Sequence, residues 1–206
     1  MGFTRRRKRG GGNRNEILFP LKSGVDYSKL KMTEEGEYSI TKRKDGEVLL
    51  KHMKTVVKGM KQKTIADLTG NVGGDTILFA LNFKQVKSFE LNHENYEALE
   101  NNVNVFGLKN VELQEGDSTK LYDGNTDVVY IDAPWGGPDY KEKKNMDLFL
   151  GTERLDLYIE RIMRKEYRPE YIFLKVPANY NFERFSSLET KKFKIRGFYL
   201  LCLFAA

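Results

Sequence analysis

TIADLTGNVGGDTILFALN, residues 64–82, is the stretch from which the fold follows. TIADLT at 64–69 reads as a short strand, and GDTILFALN at 74–82 reads as a helix. Between them Gly70, Gly73 and Gly74 permit tight turning and a close approach of the backbone to a ligand. Strand, glycine turn and helix together form the opening of a βαβ unit, and the same alternation continues downstream.

VKSFEL (86–91) is a second strand, followed by the helix HENYEALENNVNVFG (93–107), which ends on Gly107. NVELQEGD (110–117), DVVYIDA (127–133), YIFLKVP (171–177), KKFKIRG (191–197) and FYLLCLF (198–204) bring the strands to seven. Helices are expected over 153–166 and over 45–60, where His52 shares the apolar face and reads as a boundary histidine, and a short one after Asn179. Apolar strands alternating with helices call for a parallel sheet covered on both faces. Only Gly197 separates the last two strands, so these must run antiparallel. The expected fold class is α/β, a Rossmann-like seven-stranded, mostly parallel sheet with a terminal antiparallel hairpin. Residues 1–12 read as a flexible basic arm, 13–44 as a polar, irregular extension draped over the carboxyl edge and contributing to the substrate site, and 45–206 as the main domain.

The chain has 206 residues, 40% hydrophobic and 31% charged, which suits one soluble domain with a full core. No apolar run reaches the ~18 residues of a membrane helix and no signal-peptide pattern opens the chain, so no membrane association is expected. Cys202 cannot form an internal disulfide, and with two histidines it is too little for a protein-only zinc site. These features suggest a reducing compartment, nucleus or cytoplasm; a monomer is expected. Net charge is +6, of which Arg5, Arg6, Arg7, Lys8 and Arg9 carry five, leaving +1 for the rest. Followed by Gly10, Gly11 and Gly12, this cluster suits a nucleic-acid backbone or a localisation signal.

The strand ends define a candidate binding edge. Asp67, Thr69, Gly70, Asn71, Gly73, Asp75 and Thr76 belong to the glycine turn, Glu90 ends the second strand, and Asp117 with Ser118 ends the third. An acid about twenty residues after such a turn is placed to take a ribose diol. A dinucleotide is the competing ligand, but the loop is not G-x-G-x-x-G, and Asp67 and Asp75 put negative charge where a pyrophosphate would lie. A ligand whose near end is cationic fits better, as S-adenosylmethionine is at its sulfonium and ammonium. In that reading Asp67 balances the cationic end, Glu90 the ribose and Asp117 the adenine amine. IDAPWGGPDY (131–140) ends the fourth strand with Asp132, Pro134 and the only tryptophan, Trp135. An exocyclic amine on a base has its lone pair drawn into the ring. Hydrogen-bond acceptors at Asp132 and at the carbonyl of Ala133 or Pro134 would turn that pair toward a methyl donor, while Trp135 offers the base a flat face.

The run Asp132-Ala133-Pro134-Trp135 resembles the [DNS]-P-P-[YFW] motif of S-adenosylmethionine-dependent amino-group methyltransferases. PWGGPDY (134–140), with ADLTGNVGGDTILFA (66–80), LKMTEEGEYSIT (30–41) and FLKVPANYNFERF (173–185), is similar to the trimethylguanosine synthases, which methylate N2 of the 7-methylguanosine RNA cap. The resemblance covers residues 30–206. It implies 7-methylguanosine-capped RNA as substrate, with Trp135 stacking on the base and Asp132 in the hydrogen-bonding position. It further implies Lys31 near the cap phosphates, Tyr140 near the base, and Asn179 in the element after the fifth strand. Ala133 stands where the family has a proline, and Ala178 where it has a phosphate-contacting arginine. Asp132 beside an aromatic also suits an adenine-N6 or cytosine-N4 amine, and a non-catalytic RNA-binding module on the same fold is the alternative of a different class.

Overall fold

The structure, a computed structural model, describes residues 13–204; the basic arm expected at 1–12 lies outside the described residues. Seven strands, β1 (Thr64–Asp67), β2 (Gln85–Glu90), β3 (Val111–Glu115), β4 (Val128–Ile131), β5 (Tyr171–Pro177), β6 (Thr190–Ile195) and β7 (Phe198–Phe204), form one sheet. Their order is β3-β2-β1-β4-β5-β7-β6. The first five are parallel, and β7 runs antiparallel between β5 and β6. The order reverses between β1 and β4, which opens a crevice at their carboxyl ends.

Among the described residues, seven helices accompany the sheet: α1 (Asn15–Leu18), α2 (Glu34–Ser39), α3 (Arg43–Val56), α4 (Gly74–Ala80), α5 (His93–Val105), α6 (Ser118–Leu121) and α7 (Leu155–Met163). The central strands are mostly apolar because both faces are covered. Tyr130 and Phe173 pack with Leu49 and Met53 of α3 and Phe79 of α4. Val129, Ile131, Ile172 and Leu174 pack on the other face with Leu155, Ile159 and Ile162 of α7. His52 stacks on Phe193 of β6 with ring centroids 4.7 Å apart. Cys202 is buried in β7, and burial pushes its thiol up to about 12, so it is unreactive at neutral pH.

Several boundaries differ from the sequence expectation. Strand β1 stops at Asp67, because Leu68 and Thr69 already belong to the turn. The helix expected at 45–60 runs from Arg43 to Val56, and Gly59 (φ +65°) then starts a 3-10 turn at Met60–Gln62. The helix expected at 153–166 is Leu155–Met163, since Glu153–Arg154 pair with Phe149–Leu150 in a small hairpin. The short helix after Asn179 is a 3-10 turn, Phe182–Phe185.

The larger correction concerns residues 13–44, which are not irregular. They contain α1, a 3-10 turn at Tyr27–Lys29 and α2, and they bury Leu18, Phe19, Tyr27, Leu30 and Ile40 against Val72, Ile77, Leu99 and Phe106. Thr33 caps α2 by accepting from the Gly36 N–H (2.9 Å), and its hydroxyl donates to Asn95 of α5 (2.6 Å). The fully buried Asn102 of α5 clamps Lys31 by accepting from its N–H (2.7 Å) and donating to its carbonyl (2.9 Å). No described helix is long and apolar enough to cross a membrane.

Candidate active site

The strand ends are pinned to one another before any side chain is considered. Leu68 N–H donates to the Tyr130 carbonyl (3.0 Å), Gly70 N–H to that of Phe89 (2.7 Å), and Gly116 N–H to that of Glu90 (2.8 Å). These bonds gather the ends of β1, β2, β3 and β4 around a cavity of about 850 Å³. Gly70 is obligatory here, because a Cβ on it would stand 2.6 Å from Ser88 Oγ and 2.9 Å from Leu99 Cδ2. Asn71 takes a left-handed φ of +47°, which its short polar side chain tolerates better than most.

Glu90 sits on the cavity wall with its two oxygens accepting from Asn71 N–H (2.7 Å) and Asn92 N–H (2.8 Å). Lone pairs remain on both oxygens for a diol. Asp117 caps α6 through Thr119 N–H (3.0 Å) and also lines the cavity, beside Ser118 and close to Leu91 and Leu150. Carboxylates at the two strand ends and apolar flanks between them fit an adenosine. The whole lining has six carboxylates (Glu35, Asp45, Asp75, Glu90, Asp117, Asp132) against four cations (Lys42, Lys141, Lys175, Arg196), which favours a positively charged ligand.

The end of β4 holds the other half of the site. Asp132 N–H donates to Thr69 Oγ1 (2.8 Å), which ties the motif to the glycine turn. Lys175 of β5, whose side chain is only 7% exposed, donates to Asp132 Oδ2 (2.6 Å) and to Thr41 Oγ1 (2.9 Å). Thr41 in turn donates to Asp75 Oδ2 (2.7 Å), as does the Tyr130 hydroxyl (3.0 Å). Burial pushes the Asp132 carboxyl up to about 6 despite the pull of Lys175. Burial works against the Lys175 charge, but the carboxylates of Asp132 and Asp75 outweigh it and hold the ammonium above the ordinary lysine range.

Trp135 is half-buried on the same wall. Tyr140 packs edge-on to it (centroids 5.0 Å apart, 69°), and Lys175 Nζ lies 5.5 Å from its ring centroid. The loop between them turns on Gly136 and Gly137, both at positive φ (+79° and +85°). The buried indole N–H has no acceptor among the described residues.

Of the residues expected from sequence, Thr69, Gly70, Asn71, Asp75, Glu90, Asp117, Ser118, Asp132, Pro134, Trp135 and Tyr140 come together on this cavity. Five stand off its wall. Asp67 is fully buried and accepts from Thr76 Oγ1 (2.6 Å) and Thr69 N–H (3.2 Å), so its carboxylate, pushed up to about 7 by burial, braces the turn from behind. Thr76 and Gly73 lie in that same backing layer. Lys31 is exposed, with only its backbone clamped. Asn179 donates to the carbonyls of Tyr140 and Lys143 (2.7 Å each) and so supports the loop that carries Tyr140. Lys175, Thr41, Arg196 and Phe198 line the cavity without having been anticipated. The one available signal was a single lysine inside the apolar run YIFLKVP, since a charge in a buried strand demands a partner.

A seven-stranded sheet of this order, with a cavity at its reversal point built from a glycine turn and strand-end acids, is the Rossmann-like fold of the S-adenosylmethionine-dependent methyltransferases. The model of the RNA cap guanine-N2 methyltransferase family matches residues 62–196. The chain belongs to that family. It is 31% identical over 150 residues to an uncharacterised protein of Acanthamoeba polyphaga mimivirus, covering 71% of this chain and 58% of that one. It is 27% identical over 135 residues to the trimethylguanosine synthase of Saccharomyces cerevisiae, covering 62% and 42% respectively. The chain thus spans less than two thirds of the length of these curated relatives. Among solved structures, the T. thermophilus 16S rRNA guanosine-N2 methyltransferase in complex with AdoMet and guanosine superposes with a TM-score of 0.62 at 15% identity, over 78% of this chain and 42% of that one. A SAM-dependent methyltransferase from Aquifex aeolicus gives 0.56 at 15% identity, over 79% and 90%. At such identities these two likenesses bear on the fold.

Proposed function

We propose that the chain methylates the exocyclic N2 amine of the 7-methylguanosine cap of RNA, acting as a monomer. The observation that carries this reading is the placement of Asp132 and Trp135 on one wall of the cavity whose opposite parts are Glu90 and Asp117. S-adenosylmethionine, when bound, supplies an electrophilic methyl group on a sulfonium. Glu90 and Asp117 are the residues that would hold its adenosine, with Asn71 and Ser118 beside them. Asp132 Oδ2 is engaged by Lys175, whereas Oδ1 has no donor among the described residues and is free to accept from an amine N–H. The carbonyl of Ala133 or Pro134 supplies the second acceptor. Two acceptors orient the amine, and orientation carries most of the acceleration in an in-line transfer that needs no covalent intermediate. Trp135 stacks on the base, and the positive charge of a 7-methylated guanine adds a cation–π contribution of about 0.5–2 kcal/mol. Lys31 and the arm residues Arg5, Arg6, Arg7, Lys8 and Arg9 are assigned to RNA phosphates.

After one transfer the amine keeps a single N–H and satisfies only one of the two acceptors. The expected dominant product is therefore N2,7-dimethylguanosine. The test is transfer of labelled methyl to a 7-methylguanosine cap dinucleotide, to the unmethylated cap dinucleotide and to uncapped RNA, with products resolved by mass spectrometry. Activity on the first with little on the others is expected. Equal rates on both dinucleotides would overturn cap specificity, transfer to uncapped RNA would indicate an adenine or cytosine amine, and rapid trimethylguanosine would overturn the single-methyl reading.

A further inference from the structure

We infer that the outer face of strand β6 is a phosphate track that guides the RNA chain leaving the cap site. Among the described residues, strand β6 is the edge of the sheet and pairs only with β7. Its alternate residues Phe193 and Ile195 turn toward the α3 face, where Phe193 meets His52 and Ile195 joins the core. Lys192, Lys194 and, in continuing alternation, Arg196 are exposed and follow the opposite face. None of the three forms an ion pair among the described residues, and neither Glu183 nor Glu189, the nearest acids in sequence, neutralises them. The row is not isolated from the site, because Arg196 is itself part of the cavity lining, next to Phe198.

Aromatic rings accompany the cations. Lys192 Nζ lies 4.2 Å from the ring centroid of Phe182 and 5.1 Å from that of Tyr199, and these half-buried rings pack edge to face at 5.6 Å. Cations at every second strand position recur about every 6–7 Å. Interleaved with rings, they form the pattern that binds single-stranded nucleic acid without reading its sequence. Lysines on an edge strand also prevent pairing with another sheet, a task that requires no particular direction. A row leading into the cavity mouth, with rings beside it, adds a path for a polyanion.

This inference rests on the cap reading, and the test separates the two. In the full chain, K192E/K194E is compared with K58E/K84E, an equal charge change at exposed lysines near the amino edge of the sheet. The probes are a 7-methylguanosine cap dinucleotide and a ten-nucleotide RNA carrying the same cap. K192E/K194E should weaken affinity for the capped RNA about tenfold or more and reduce its salt slope by roughly 1.4, two contacts at about 0.7 each. Affinity for the dinucleotide should stay within about twofold, which also reports that the variant is folded, and K58E/K84E should change neither. Unchanged RNA affinity and slope in K192E/K194E, equal losses in both variants, or equal losses on both probes would overturn the track. If the wild-type chain ignores the dinucleotide while K192E/K194E alone loses RNA binding, the track stands and the cap reading falls.

Discussion

At the level of single side chains, the Asp132–Lys175 pair decides how the site responds to protons. Ionised Asp132 accepts from an amine more strongly than the protonated acid does, and burial places its carboxyl at about 6, so the rate should fall as pH drops through that value. Lys175→Met removes the neighbouring cation, and the carboxyl should move up by about one unit or more. The acid limb of the kcat–pH profile should move with it, so that a carboxyl moved from about 6 to about 7 costs about twofold at pH 7 and about fivefold at pH 6, with recovery at higher pH. An acid limb left in place would show that Asp132 does not govern the rate. Trp135→Ala should cut activity about ten- to a hundredfold through lost stacking while calorimetry shows S-adenosylmethionine binding intact. Collapse of cofactor affinity in a folded variant would make Trp135 a structural residue instead. The acids at strand ends were legible because a strand end fixes where its last residue stands. Lys175 was not, because its partners Asp132 and Thr41 lie 43 and 134 residues away in the chain. Asp67 could be placed at the edge from sequence, but not the direction of its carboxylate, which Thr76 and Thr69 set together.

Among elements, α2 is the one whose position the cavity depends on most, since Tyr38, Ser39, Ile40 and Thr41 at its end form part of the wall. Gly36 lets it sit close: a Cβ there would meet Val72 Cγ1 at 2.7 Å and Met32 Sδ at 2.9 Å. Helix propensity alone would favour Gly36→Ala by about 1 kcal/mol. Overpacking by about 1–3 kcal/mol opposes it, and sterics should win. The expected result is a lower Tm by several degrees together with weaker cofactor binding by calorimetry, both from displacement of α2. A stabilised variant with unchanged affinity would mean that α2 floats freely. The same element shows where pattern reading stops. Central strands announce themselves because burial on both faces makes them mostly apolar, and Gly197 announces the hairpin. The extension has no period to detect, as Leu18, Phe19, Tyr27, Leu30 and Ile40 reach the core singly from short turns.

For the molecule as a whole, the extension at 13–44 is part of the core rather than an addition to it. A chain beginning at Lys42 would expose the apolar surface of Leu99, Val103 and Phe106 that Leu18, Phe19, Tyr27 and Leu30 now cover. Fully burying such side chains contributes about 1.5–3 kcal/mol each, so losing several removes an amount comparable with an entire domain's stability. The truncated chain should show no cooperative thermal transition and no cofactor binding; a melt like that of the full chain would show that 42–206 stands alone. The placement of β7 reaches further, to how the protein is made. A ribosome delivers β6 before β7, yet among the described residues β6 has no partner except β7, and β5 has an open edge until β7 arrives. During synthesis the nascent sheet therefore waits at β5 with an apolar strand edge bare, closes only when residues 198–204 have cleared the exit tunnel, and is exposed to mispairing for as long as translation pauses before them.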